Sequence, residues 1–248
     1  MNTDRIARRQ LADYDAHRPG GIFEDPRFQL SVDQAYEVQI RTAALRVARG
    51  EAIGGYKIGC VGEAVQRQLN VQQPVFGHVF ATEIHRSGVS LDSSAFECLA
   101  IEGELAVRIA EDISDTDGLA EPGRLIESAF PILELHNNVF RRATRTAEEL
   151  IANNAFHAGV VLPSIESPLP LSEPISVFRN GEILGSGSIP GGPLASVTKI
   201  VRHVVSRGGK IVRGQILLTG SPLALFPVKP GDHIVVRGGR SGEVSIVV

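Results

Sequence analysis

The chain has 248 residues, 43% of them hydrophobic and 21% charged, with 25 Lys plus Arg against 28 Asp plus Glu for a net charge of −3. That ordinary globular composition excludes a disordered or fibrous chain, and the slight acidity excludes the basic footprint of a nucleic-acid binder. Aromatics at 5% with no Trp argue against a base-stacking platform, and two cysteines, Cys60 and Cys98, are too few for a disulfide scaffold, so a reduced cytoplasmic protein is expected.

Met1 to Pro19 is laced with Arg5, Arg8, Arg9, Asp4, Asp13 and Asp15 and offers no apolar targeting segment. No stretch reaches the ~18 apolar residues of a membrane span, so no membrane partner is expected. Thr3 is placed to cap a first amphipathic segment carrying Ile6, Leu11 and Tyr14, and Pro19-Gly20-Gly21 reads as a hinge. Ser31 with Gln34 three positions on has capping-box spacing, and the stripe Ala35, Val38, Leu45 runs to a Gly50 stop. Residues 1–70 are accordingly read as a helical N-terminal region, although short strands begin to show from Ile53.

Residues 71–248 read as a β-rich domain. Ile101 to Val107 and Ile132 to His136 alternate with period two, and Val177 to Leu184 brackets Asn180-Gly181, a strong hairpin signal. Helices return at Thr146, again with a capping-box Glu149, and at Pro193, with Leu194, Val197, Val201 and Val204 on one face before Gly208-Gly209. Strands without a regular βαβ rhythm give an α+β class with a curled antiparallel or mixed sheet.

Several motifs carry chemistry. Gly185-Ser186-Gly187 in front of Pro190 fails the dinucleotide fingerprint at its third glycine and reads as a glycine-rich turn. Glu102 and Glu104, i and i+2 on a strand, share one face; either a hard divalent cation lies between them or the face is solvated, and the strand leaves both readings open. Lys57, inside the apolar stretch Gly54 to Gly59, either snorkels to solvent or waits for an anionic ligand. Thr219-Gly220-Ser221 at a strand end either holds a carboxylate or caps its own turn. His136 and His157 stand beside Asn pairs without a partner at metal-ligand spacing, and Arg141, Arg142 and Arg145 form either a solvated face or a clamp for a second carboxylate.

In order, Gly55-Tyr56-Lys57-Ile58-Gly59, Pro74-Val75-Phe76-Gly77, Ile101-Glu102-Gly103-Glu104-Leu105-Ala106, Leu133-Glu134-Leu135, Asn154-Ala155 and Gly214 to Ser221 resemble the 2-keto-4-pentenoate hydratase family of the fumarylacetoacetate hydrolase superfamily. The resemblance spans roughly residues 30 to 236. It implies a helical N-terminal region followed by a β-rich roll of the fumarylacetoacetate hydrolase type, assembled as a homo-oligomer. It also implies Mg²⁺- or Mn²⁺-dependent chemistry on 2-oxo or 2-hydroxydienoic acids from aromatic-ring degradation.

By this resemblance Glu102 and Glu104 are metal carboxylates and Lys57 is the active-site lysine. The remaining ligand falls at Asn137, where the family has Asp, and Val139 stands where it has Arg; Asn154-Ala155-Phe156-His157 replaces Asn-Ala-Ser-Ser. Asn137 in place of a carboxylate implies a weakly held ion. The expected reaction is addition of water to a 2-hydroxy-2,4-dienoate to give a 4-hydroxy-2-oxo acid, with Glu134, His136 and His157 as proton carriers and Thr219-Gly220-Ser221 binding the acid end. A related decarboxylase or C–C hydrolase, or a metal-free non-catalytic homologue, are the alternatives. Lys57→Ala is expected to fold normally and lose turnover.

Overall fold

Helix starts follow the capping chemistry of the sequence. In a computed structural model that describes residues 2–16, 18, 21–24, 29–139, 146–166, 170–239 and 242–248, helix α1 spans Thr3–Asp15 and α2 spans Val32–Ala48. Asn2, one residue before Thr3, accepts the N–H of Arg5, and Ser31 and Gln34 close the expected reciprocal box. Pro19-Gly20 and the arginine cluster at Arg141, Arg142 and Arg145 lie outside the described residues.

The sheet begins inside the segment read as helical. Strand β1 (Ile53–Gly59) is followed by α3 (Glu63–Leu69), β2 (Val75–Phe80), β3 (Ile84–Arg86), β4 (Val89–Ser90), β5 (Leu99–Ile109) and β6 (Ile126–Asn137). Helix α4 (Ala147–Ala152), started by the Thr146–Glu149 box, leads to β7 (His157–Leu162). The Asn180-Gly181 hairpin joins β8 (Ile175–Arg179) to β9 (Glu182–Gly187). Pro193 opens α5 (Pro193–Ser206), and β10 (Ile216–Leu218), β11 (Phe226–Pro227), β12 (His233–Gly238) and β13 (Gly242–Val247) complete the chain. Gly185 and Gly187 let β9 lie close against Pro222 and Leu223; a methyl group at Gly187 would stand 3.1 Å from the Pro222 Cβ.

Among the described residues two sheets form. The larger runs β2-β1-β10-β5-β6-β7-β3, with β11 also on β5, and the smaller runs β4-β13-β12-β8-β9. The edge strands of the larger sheet, β2 and β3, are joined only by the short turn Ala81–Glu83. A sheet whose two ends are consecutive in the chain must curl until those ends are neighbours, and the architecture is therefore a roll. Period-two alternation then sorts side chains. Val79, Ala106, Phe130, Ile132, Val160, Leu162, Ile216 and Leu218 form a buried cluster on the inner face. Their odd-parity neighbours, Leu105, Val107, Leu133, Leu135, Val161 and Leu217, pack outward with Val177, Ile234, Val236, Val244 and Ile246 of the second sheet and Val197, Ile200, Val201 and Val204 of α5. At one end of the roll α1, α2, α3 and α4 contribute Ile6, Ala35, Val38, Val65, Leu69, Leu150 and Ile151 to a separate apolar cluster. The expected order of a helical N-terminus before a β-rich roll is what the structure shows.

Candidate active site and metal centre

Strand register gathers the charged residues. Glu102 on β5 lies directly opposite Glu134 on β6, while Glu104 and His136 sit two positions along on the same face. Lys57 on β1 pairs in register with Leu218, which in turn pairs with Ala106 of β5, so the lysine points into the same interior. All five are buried: Lys57 is 1% exposed, Glu102 3%, Glu104 and Glu134 0%, and His136 5%. The lysine therefore does not snorkel, and the two glutamates of β5 do not face solvent.

Three buried carboxylates share this interior with one lysine and one histidine. Lys57 Nζ donates to Glu134 Oε1 and, at 3.5 Å, to the carbonyl of Ala155. Burial works against the ammonium, but Glu134 first and then Glu104 and Glu102 outweigh it and raise the lysine's pKa. Glu104 moves the other way from a normal carboxyl: burial, with Glu134 and Glu102 beside it, pushes its pKa well up. Glu134 is held well below the carboxylate range because Lys57 and His136 overcome its own burial. His136 is lifted to about 9, burial being outweighed by Glu134.

The oxygens and nitrogens left over are informative. Glu104 Oε1, Glu134 Oε2 and both ring nitrogens of His136 are buried without a hydrogen-bond partner. His136 Nε2 is 3.2 Å from Glu102 Oε2 and 3.5 Å from Glu134 Oε2, yet neither contact has hydrogen-bond geometry. One ligand atom from each of Glu102, Glu134 and His136 falls within 4.8 Å of the others. Carboxylate oxygens of Glu102 and Glu134 converging with a His136 ring nitrogen, with orphaned oxygens on Glu104 and Glu134 in the same interior, fit a divalent cation.

Asn137, one residue past His136, is not in this group. Its Oδ1 accepts the backbone N–H of Glu97 at 2.9 Å and of Cys98 at 3.1 Å, holding the loop that leads into β5. Residue 137 alternates away from the face that carries Glu134 and His136, which is why spacing along the chain misplaces it. The carboxylate that completes the cluster is Glu134 itself. Thr219-Gly220-Ser221 is likewise turned to structure: Thr219 Oγ1 donates to the Leu105 carbonyl at 2.6 Å and Ser221 Oγ to the Gly103 carbonyl at 3.2 Å. Between them the Gly220 N–H donates to Glu104 Oε2 at 2.9 Å, so this turn aims a carboxylate rather than offering open hydroxyls. Only glycine fits there: its φ is +91°, and a Cβ would stand 2.5 Å from Val61 Cγ2.

His157 reaches the cluster by an unusual route. Asn154, Ala155 and Phe156 all have left-handed backbones, with φ of 57°, 54° and 61°. Non-glycine residues resist this region, and here the turn is pinned by Asn154, whose Oδ1 accepts the His78 N–H and whose Nδ2 donates to the His78 carbonyl, both at 2.8 Å. The turn delivers His157 Nδ1 to 2.6 Å from Glu134 Oε1. Beyond it, His157 Nε2 lies 3.8 Å from Glu83 Oε2, while Glu83 Oε1 takes hydrogen bonds from Tyr14 Oη and Arg46 Nη1, each at 2.7 Å. Local sequence patterns do not single out Glu83, Arg46 or Tyr14 for the site. A signal exists for Arg46: Gln39, Ala43 and Arg46 share the buried stripe of α2, and a charge on such a stripe needs a partner.

A family model described as the C-terminal domain of fumarylacetoacetate (FAA) hydrolase matches residues 58–248. The chain belongs to the fumarylacetoacetate hydrolase family. It is similar to a 2-hydroxyhexa-2,4-dienoate hydratase from Comamonas testosteroni, at 27% identity over 85% of this chain and 84% of that one. A 2-keto-4-pentenoate hydratase from Paraburkholderia xenovorans is 29% identical over 87% and 83%. Among solved structures, the 4-oxalocrotonate decarboxylase from Pseudomonas putida G7, complexed with magnesium and adipate, superposes with a TM-score of 0.88 at 25% identity, covering 99% of this chain and 96% of that one.

Proposed function

We propose that the protein is a divalent-metal-dependent hydratase that adds water to a short 2-hydroxy-2,4-dienoate to give a 4-hydroxy-2-oxo acid in the breakdown of aromatic compounds. The observation that carries this reading is the buried face that brings Glu102, Glu104 and Glu134 together beside Lys57, with Glu104 Oε1 and Glu134 Oε2 left unpaired. These three would hold Mg²⁺ or Mn²⁺, and Asn137, whose oxygen is already engaged, leaves the ligand set. When bound, the ion supplies Lewis-acid polarisation of a chelated 2-oxo acid.

The chain's own residues do the rest. Lys57 supplies positive charge next to the 2-oxygen as enolate character develops there. Gly220 N–H fixes the orientation of Glu104. Glu134, in contact with both Lys57 Nζ and His157 Nδ1, passes a proton between the dienol and the imidazole, and the apolar interior keeps bulk water from competing. The proton taken from the 2-hydroxyl is returned at C5, giving the 2-oxo-3-enoate in which C4 is conjugated to the 2-oxo group and electrophilic; water then adds its oxygen to C4 while C3 takes up a proton. Cys60 and Cys98 are both free thiols, which supports work in a reducing cytoplasm, and the family resemblance supports a homo-oligomer.

The likeness to a decarboxylase along nearly the whole chain favours decarboxylation of a related 2-oxo acid as the second reading. Both are tested by following dienoate absorbance with and without Mg²⁺ while trapping CO₂. Loss of conjugation without CO₂ supports hydration; CO₂ release establishes the second reading; no metal-dependent change on any short dienoate refutes both.

A further inference from the structure

Away from the metal centre, a cavity of about 280 Å³ lies between α2, α5 and the β1–β2 ladder. Lys57 points into the roll, so its neighbour Tyr56 and the cross-strand partner of Tyr56, His78, face outward into this space. Ile40, Ala43, Val47, Ile53, Ile200 and Val204 give it an aliphatic wall. Four rings complete the lining. His203 stacks on Phe76 with centroids 4.1 Å apart and planes 16° apart, and Tyr56 meets His78 at 5.3 Å. The volume is of the order that holds one substituted ring, since about 150 Å³ of apolar cavity accepts benzene.

The polar groups of the lining are few and one-sided. Among the described residues no Asp or Glu lines the cavity, and the Lys57 ammonium is engaged by Glu134. Arg207 stands at the rim, its side chain 28% exposed and its guanidinium over the Tyr36 ring. Its Nη2 is 3.3 Å from Asp33 Oδ1, but that side chain is 88% exposed, so the pair holds the cation only weakly. Tyr56 Oη donates to the Lys210 carbonyl at 3.0 Å, and Gln39 Nε2 donates to the carbonyls of Phe76 and Ile151. His78 Nδ1, by contrast, is buried without a hydrogen-bond partner among the described residues. Burial above all holds His78 and His203 far below an ordinary histidine, so both rings are uncharged near pH 7. An uncharged ring nitrogen shut away from water calls for a neutral hydrogen-bonding group.

We propose that this cavity is a second ligand site, separate from the metal centre, for a monocyclic aromatic carboxylic acid that carries a hydroxyl group. The ring lies among the aromatic and aliphatic side chains, the carboxylate meets Arg207 at the rim, and the hydroxyl meets His78 Nδ1. A plain alkyl acid buries apolar area too, but it forgoes the ring contacts and leaves Nδ1 unpaired.

The test is calorimetric binding of 4-hydroxybenzoate to the full chain in excess EDTA, which keeps carboxylates off the metal centre and makes the outcome independent of the proposed metal chemistry. Saturable binding at one site per chain is expected; no binding overturns the proposal. Two analogues each remove one feature: 4-methylbenzoate lacks the hydroxyl, and trans-4-hydroxycyclohexanecarboxylate lacks the flat ring. Each should bind about threefold or more weakly, and equal or tighter binding of either overturns the assigned ligand class. Ala44→Trp, at an exposed position of α2 that lines the cavity, should weaken 4-hydroxybenzoate about tenfold or more by filling the mouth, with circular dichroism confirming the fold. Unchanged affinity would place the probe elsewhere and overturn the site. Arg207→Met gives an independent check: affinity should fall roughly two- to fivefold, and an unchanged value refutes the carboxylate contact.

Discussion

Lys57 and Glu134 form an ion pair with essentially no access to solvent, the lysine side chain being 1% exposed and the carboxylate 0%. Removing the lysine leaves Glu134 buried beside Glu102 and Glu104 with no neighbouring ammonium. Breaking such a pair costs ~3–5 kcal/mol, whereas neutralising both members together is close to neutral. Lys57→Met, which keeps the aliphatic volume, should therefore be destabilised by ~3–5 kcal/mol, and Glu134→Gln in the same chain should restore most of it. For a chain of this length that corresponds to a drop in Tm of ~6–20 °C. The buried pair argues against the expectation that Lys57→Ala folds normally, since the lysine neutralises a carboxylate with no access to water. The assay is a double-mutant cycle by urea unfolding without divalent ion, repeated with Mg²⁺, which should partly rescue the single Lys57→Met variant by supplying positive charge. A cost below ~1 kcal/mol, or strict additivity of the two substitutions, would refute the buried-pair argument.

Gly220→Ala forces a methyl group against Val61 on a left-handed backbone; overpacking contributes ~1–3 kcal/mol and the φ penalty ~1–2 kcal/mol, readable as a fall in the urea midpoint. The surviving protein should also bind Mg²⁺ more weakly, because Glu104 loses its aligned donor; unchanged affinity in calorimetry would mean Gly220 is structural alone. Asn137→Asp should leave Mg²⁺ affinity unchanged, since either side chain can accept the two N–H groups of the 97–98 loop, whereas Glu104→Gln should weaken it; tightening by Asn137→Asp would return residue 137 to the ligand set. Burial, helped by Arg46, holds His78 down at about 4, and burial with Arg207 and His78 holds His203 at about 3. The unfolded chain, with histidines near 6.5, takes up these protons first, so the stability they contribute is complete above that pH and is lost as pH falls towards 4 and then 3. Tm should thus fall between pH 7.5 and pH 5, and His203→Phe, which keeps the ring stacked on Phe76, should flatten part of that decline; an identical acid limb in the variant would count against it.

Much of the fold is legible in the sequence because its signals are local. Ser31–Gln34 and Thr146–Glu149 announce helices because each satisfies backbone donors within four residues, and Asn180-Gly181 announces a hairpin because both positions need left-handed backbones. Glu102 and Glu104 are visible for the same reason, their shared face being a property of one strand. Glu134 as the third carboxylate is not, because its position opposite Glu102 depends on the register of two strands. Asn137 is misplaced by a single step of alternation. The Glu83–Arg46–Tyr14 contacts join α1, α2 and the β2–β3 turn, and no local pattern links residues that meet only after the roll has closed.

The pairing of β1 with β10 has a kinetic consequence. Gly55 and Ile216 stand far apart in the sequence yet are direct partners, and this ladder brings Lys57 beside Leu218 just ahead of the Gly220 turn. Contacts of such long sequence separation are assembled slowly, after hairpins such as β8–β9 and β12–β13. On this order of events Glu102, Glu104 and Glu134 should lose water only late in folding, when Lys57 arrives. A ligand that recognises the finished interior should therefore slow unfolding while leaving the refolding rate almost untouched.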